Sequence, residues 1–108
     1  MANPDQISAR ELEALRSRGD DLAIVDVREP FEVQIASIAG SVVIPMNEIP
    51  ARIDELDPER PTVVLCHHGI RSAQVATYLA RMGFARVINL AGGIDAWSEE
   101  VDPRVPRY

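Results

Sequence analysis

Four short runs of apolar, largely β-branched residues recur along the chain, at 22–27, 42–44, 62–65 and 87–90. Runs this short and unbroken read as strands covered on both faces, because a solvated face would alternate with polar residues. Between them lie stretches with helical spacing. Strands alternating with helices pair in parallel through crossovers that lay helices on both sides of the sheet. The expected fold is therefore a single α/β domain, 1–108, with a mainly parallel central sheet and helices on both faces. At 108 residues with 46% hydrophobic content there is material for one core, not two.

Local signals place the helices. Ser8-Ala9-Arg10-Glu11 is a capping box, and Leu12 and Leu15 follow at helical spacing until Gly19. Pro30 suits the first turn of a short helix through Phe31 to Ile35. A helix over 48–56 tolerates Pro50 because that residue lies in its first turn. The clearest helix spans 72–82, with Val75, Leu79 and Met82 on one face and Gly83 as its stop. Gly92-Gly93 leads into a last helical turn with Asp95, Ala96 and Trp97, the tryptophan acting as a packing anchor, and 103–108 is an irregular tail. In such folds the binding crevice lies at the carboxyl ends of the strands, where Asp26 to Glu29, Cys66 to Arg71 and Ala91 to Gly93 converge. Glu29 and Glu32 are expected on the solvated face of the short helix.

Charge and composition exclude several classes of function. The chain carries 17 acidic and 11 basic residues, net -6, with the basic ones scattered, so nucleic acid is not an expected partner. No apolar run reaches a membrane span, and Met1-Ala2-Asn3-Pro4-Asp5 has no signal-peptide pattern; the expected location is the cytoplasm. A lone cysteine cannot form an internal disulfide, which suits a reducing compartment and leaves the thiol free.

That cysteine, Cys66, ends the 62–65 strand and opens the loop Cys66-His67-His68-Gly69-Ile70-Arg71-Ser72. A strand end followed by a glycine turn and a helix start aims backbone N–H groups and a helix N-terminus at one point. Such a point favours thiolate, so Cys66 reads as a nucleophile with a depressed pKa. Arg71 adds a permanent charge and a planar fork suited either to an oxyanion or to clamping the loop. His67 and His68 form a rim beside the nucleophile. Adjacent side chains point apart and there is no second sulfur, so no metal is expected.

Three motifs together resemble the rhodanese family of single-domain sulfurtransferases, over nearly the whole chain. Asp26-Val27-Arg28-Glu29-Pro30 with Glu32, Ile38, Gly40 and Ile44-Pro45 is similar to the family's first signature. The loop from Cys66 to Ser72 is similar to its active-site loop. Gly83-Phe84, Val87, Asn89-Leu90 and Gly92-Gly93-Ile94-Asp95-Ala96-Trp97 are similar to its closing signature. Ala36, Ser37 and Ala39 depart from the family's Gly, His and Pro. The stretch from Ile35 to Ile38 and the ending from Val101 to Tyr108 resemble rhodanese domains associated with ubiquitin-activation-like adenylyltransferases.

The resemblance implies sulfur transfer without a cofactor. The Cys66 thiolate takes a sulfane sulfur from a donor such as thiosulfate, becomes a persulfide and passes the sulfur on. His67, His68, Gly69, Ile70, Arg71 and Ser72 would surround the substrate, with Gly69 allowing close approach. Asp26 and Arg28 could line the crevice, but a charged pair at a strand end is better read as a brace between loops. A second reading is a persulfide relay that receives sulfur from a cysteine desulfurase and passes it to a carrier protein or an adenylyltransferase. A phosphatase or arsenate reductase is disfavoured, since those sites resemble loops with five residues between Cys and Arg and here there are four. An inactive interaction module is disfavoured by the retained Cys66 and Arg71.

Overall fold

The computed structural model describes residues 5–108; the opening 1–4, most of the segment read for a signal peptide, lies outside them. The described elements are β1 (Asp5–Ile7), α1 (Ala9–Ser17), β2 (Ala23–Asp26), α2 (Pro30–Ile35), β3 (Val42–Val43), α3 (Ile49–Arg52), β4 (Thr62–Leu65), α4 (Ile70–Arg81), β5 (Val87–Leu90) and α5 (Gly93–Glu100), with single 3₁₀ turns at Met46–Glu48 and Ile53–Glu55. The five strands form one sheet in the order β1-β5-β4-β2-β3, and every pairing is parallel. Val25, Val64 and Asn89 lie in register across its three central strands.

Alternation along these strands divides the core in two. Ile24, Val63, Leu65, Ile88 and Leu90 face α1 and α5, where Leu12, Ile94 and Trp97 cover them. Val25, Val64, Cys66 and Val87 face the other way, against Ile49 of α3 and Val75, Ala76 and Leu79 of α4. Leu79 is wholly buried, worth roughly 1.5–3 kcal/mol of transfer free energy. Helices on both faces of a parallel sheet are thus what the sequence led one to expect. Trp97 is the packing anchor expected of it, 3% exposed.

The Ser8/Glu11 capping box opens α1: Glu11 N donates to Ser8 Oγ at 3.1 Å, and Ser8 N donates to Glu11 Oε1 at 2.9 Å. Four details depart from the sequence reading. β1 was not anticipated. The 48–56 helix is broken, with α3 limited to one turn between the two 3₁₀ turns. α4 begins at Ile70, two residues early, which places Arg71 inside its first turn. Met82 is 54% exposed, because it caps α4 and has left the face shared by Val75 and Leu79.

Candidate active site

β4 ends at Leu65 and α4 begins at Ile70, so four residues, Cys66 to Gly69, connect them. Strand alternation sends Cys66 to the α4 side, where it is 2% exposed. Gly69 caps α4 with φ +102°, a left-handed conformation that returns its N–H to the strand end, where it donates to Cys66 Sγ at 3.1 Å. Ser72, fully buried in the first turn of α4, sets its Oγ 3.3 Å from the same sulfur, its one hydroxyl proton shared between that sulfur and Asn89 Oδ1. Burial by itself pushes the thiol's pKa up. Hydrogen bonds from Ser72 Oγ and from the N–H groups of Ser72, Gly69 and His68 outweigh it, and the thiol sits below its ordinary value.

Two neighbouring elements hold this loop. The first turn of α5 takes its carbonyls: Ile94 N donates to Cys66 O at 2.9 Å and Asp95 N to His67 O at 3.2 Å. That contact is backbone on backbone, and a Cβ at Gly93 would be driven into the oxygens of Cys66 and His67. Asn89 of β5, 3% exposed, provides the second support. Its Oδ1 accepts from Ser72 Oγ at 2.5 Å, and its Nδ2 donates to Gly69 O and to Gln6 Oε1, both at 3.1 Å. The amide therefore holds Gly69 and the Ser72 hydroxyl in place beside the sulfur. The sequence places Asn89 only within the closing signature, although a lone amide in a fully buried apolar strand signals that it has partners to satisfy.

Arg71 is half-exposed and its fork is occupied. Nη1 and Nη2 donate to Glu32 Oε1 at 2.8 Å and Oε2 at 3.0 Å. Glu32 is buried, which corrects its expected place on a solvated helix face; a carboxylate can be buried there because Arg71 neutralises it. The Arg71 guanidinium, opposed by burial and helped by Glu29 N and the Tyr108 hydroxyl, holds the Glu32 carboxyl at about 2. Hydrogen bonding to Glu32 in turn raises Arg71, and the Cys66 thiolate adds to that effect.

Asp26 and Arg28 are both 0% exposed, so neither lines the crevice. Arg28 donates through Nε and Nη2 to the two Asp26 oxygens (2.9 and 2.6 Å), through Nη2 to Ala36 O (2.6 Å), and through Nη1 to Tyr108 Oη (2.7 Å) and, weakly, to Glu32 O (3.4 Å). All five N–H groups of the guanidinium have acceptors, the condition for burying it. The pair ties the end of β2 to both ends of α2.

His67 and His68 do not point apart as expected: their rings stack with centroids 4.0 Å apart. With Asp95 they bring three ligand-type atoms within 4.8 Å of one another. The Asp95 carboxylate, however, already accepts from Arg107 Nε and Nη2 at 2.9 and 3.1 Å, and these bonds hold it below its usual pKa. Stacked imidazoles also do not aim their lone pairs at one point, so the set does not fit a metal as it stands. His67 Nε2 is buried without a hydrogen-bond partner among the described residues. Ile70 projects into solvent at 73% exposure, on the rim of the loop. Cys66, Gly69 and Ser72 thus meet at the sulfur, Arg71 and the histidines border it, and Asp26 and Arg28 stand behind.

Comparison with known proteins places this geometry among relatives. The profile of the Rhodanese-like domain family matches residues 8–100. The chain is 36% identical to a sulfurtransferase of Allochromatium vinosum over 94% of each protein. It is 34% identical, over 99% of its own length, to the probable adenylyltransferase/sulfurtransferase MoeZ of Mycobacterium tuberculosis, of which it spans only 28%. A rhodanese-related protein of Thermoplasma volcanium superposes with a TM-score of 0.82 at 34% identity, covering 90% of this chain and 93% of that one. Relatives named as sulfurtransferases support a sulfurtransferase role.

Proposed function

The chain belongs to the rhodanese-like domain family, and we propose that it moves a sulfane sulfur from a donor such as thiosulfate to a thiophilic acceptor through a persulfide on Cys66. The observation that carries this reading is the single thiol at the end of β4, lowered in pKa by hydrogen bonds that Gly69 and Ser72 direct onto Sγ. In the first half-reaction Sγ attacks the outer sulfur of thiosulfate. A new S–S bond forms, the old one breaks, and sulfite leaves with the electron pair. In the second, a nucleophile such as cyanide attacks the terminal sulfur and the Cys66 thiolate departs. Electrons balance within each exchange, so no cofactor is needed.

The N–H groups that lower the thiol pKa are suited to hold negative charge on the persulfide as well. Arg71 supplies positive charge beside the loop, while His67, His68 and Ile70 form the rim that a donor or acceptor meets. With its Nη1/Nη2 edge taken by Glu32, Arg71 acts on an anionic donor through its field and the N–H groups that remain, not through that edge. The same feature favours the second reading, a relay fed by a cysteine desulfurase and emptied onto a carrier protein or an adenylyltransferase, since a protein-bound persulfide needs no oxyanion clamp. The match to part of an adenylyltransferase/sulfurtransferase supports it too. The cytoplasm is the proposed location, on the strength of the single free cysteine. Among the described residues no helix is long and apolar enough to cross a membrane.

Turnover of thiosulfate and cyanide by the purified protein, beside sulfur uptake from a desulfurase with cysteine, tests both readings. Fast turnover without a protein partner supports the enzyme. Uptake only from the desulfurase supports the relay. Neither activity, in folded protein, refutes both.

A further inference from the structure

Arg107 and Tyr108 bring the irregular tail back to the catalytic loop. Arg107 grips Asp95, whose own N–H holds the carbonyl of His67. The Tyr108 ring lies flat on His67, with centroids 3.9 Å apart and planes 5° from parallel. Its hydroxyl accepts from Arg28 Nη1 at 2.7 Å and donates to Glu32 Oε2 at 2.8 Å. One side chain therefore touches both the residue next to Cys66 and the carboxylate that pairs with Arg71. The proton order is unambiguous, because a guanidinium only donates and an ionised carboxylate only accepts.

We infer that Tyr108 is a positioning residue for the sulfur-transfer site, its ring fixing His67 beside Cys66 and its hydroxyl fixing Glu32 so that Arg71 keeps its place. This rests on the proposed persulfide chemistry for its purpose, though not for its geometry. Without the hydroxyl, Arg28 loses one of its acceptors, and Glu32 is left with Arg71 and Glu29 N alone. The carboxylate can then shift and carry Arg71 with it. Ring and hydroxyl act on different groups, so their effects are separable by substitution.

The test compares wild type, Tyr108→Phe and Tyr108→Ala by the rates at which Cys66 is alkylated by iodoacetate, an anion that feels Arg71, and by iodoacetamide, a neutral reagent that reports the thiolate. Tyr108→Phe keeps the stack on His67 and the fold. It should leave the iodoacetamide rate near wild type and lower the iodoacetate-to-iodoacetamide ratio several-fold, less than the roughly tenfold or more of a whole hydrogen bond to a charged group, because only the placing of Arg71 changes. Its KM for thiosulfate should rise while release of sulfur to cyanide is retained. Tyr108→Ala should lower the ratio and also change the iodoacetamide pH profile, because His67 is no longer covered. Arg107→Ala, which loosens the tail without touching the tyrosine, should give a smaller change in the same direction. A wild-type ratio in folded Tyr108→Phe overturns the inference, even if its stability has dropped. A wild type that takes up no sulfur, but whose ratio depends on Tyr108, would overturn the functional reading and leave the positioning intact.

Discussion

Glu32 and Arg71, 39 residues apart in sequence, are joined by two parallel hydrogen bonds of 2.8 and 3.0 Å that fasten α2 to the first turn of α4 beside Cys66. The carboxylate is buried and its pKa lies at about 2, against an ordinary 4.5. A carboxyl with a depressed folded pKa contributes stability that is fully present above its unfolded value and is lost as pH falls through the folded one. Glu32→Gln should therefore destabilise the protein near neutral pH by roughly 1–3 kcal/mol, the scale of a lost charged hydrogen bond. The gap between variant and wild type should narrow from about pH 4.5 down to about pH 2. Urea unfolding of both proteins at several pH values checks it, and a gap that does not depend on pH would show that the charge is irrelevant.

The thiol of Cys66 owes its depressed pKa to donors that overcome its burial. In wild type, the inflection of iodoacetamide alkylation with pH should lie below the reference of about 8.5. Ser72→Ala removes one donor, leaves Gly69 N in place and should move the inflection up. An unchanged inflection in folded Ser72→Ala would assign the whole effect to backbone N–H groups.

Gly93→Ala tests the support from α5. The added methyl has nowhere to go except into the carbonyl oxygens of Cys66 and His67, so the loop must move. An overpacking cost of about 1–3 kcal/mol is expected. Sulfur transfer should fall well beyond what the residual folded fraction explains, because the carbonyl anchors at Ile94 N and Asp95 N are displaced. Stability and thiosulfate turnover measured together check this, and full activity in the folded fraction would contradict it.

Much of this architecture was legible because its causes are local. The apolar runs at β4 and β5 and the Ser8/Glu11 capping box each carry their signal within a few residues, and all three appear where expected. β1 was missed for the opposite reason: of Asp5, Gln6 and Ile7 only Ile7 is buried, and its pairing comes from β5, more than eighty residues away. Glu32 looked solvated because the partner that lets it be buried is distant in sequence. Tyr108 looked like an unstructured ending because its contacts, Glu32, Arg28 and His67, lie 76, 80 and 41 residues back. Cys66 and its glycine turn were readable as a site, whereas the side chains that hold the loop in shape were visible only once the chain had folded.

Four residues separate Cys66 from Arg71, and the Nη1/Nη2 edge of the arginine is engaged by Glu32. A phosphoryl group in transfer needs donors for three equatorial oxygens, and a loop with four residues between Cys and Arg is expected to close around a single sulfur atom instead. The protein should not hydrolyse an aryl phosphate. Turnover that disappears in Cys66→Ser would contradict that expectation and reopen the oxyanion reading.

The central claim is that Cys66 itself carries the sulfur, and intact mass tests it most directly. Wild-type protein exposed to thiosulfate, or to a cysteine desulfurase with cysteine, should gain the mass of one sulfur atom and lose it again on addition of cyanide. Cys66→Ser, folded by circular dichroism, should gain nothing, since a hydroxyl neither forms a persulfide nor ionises near neutral pH. No gain by wild type from either donor, or an equal gain by Cys66→Ser, would contradict the account.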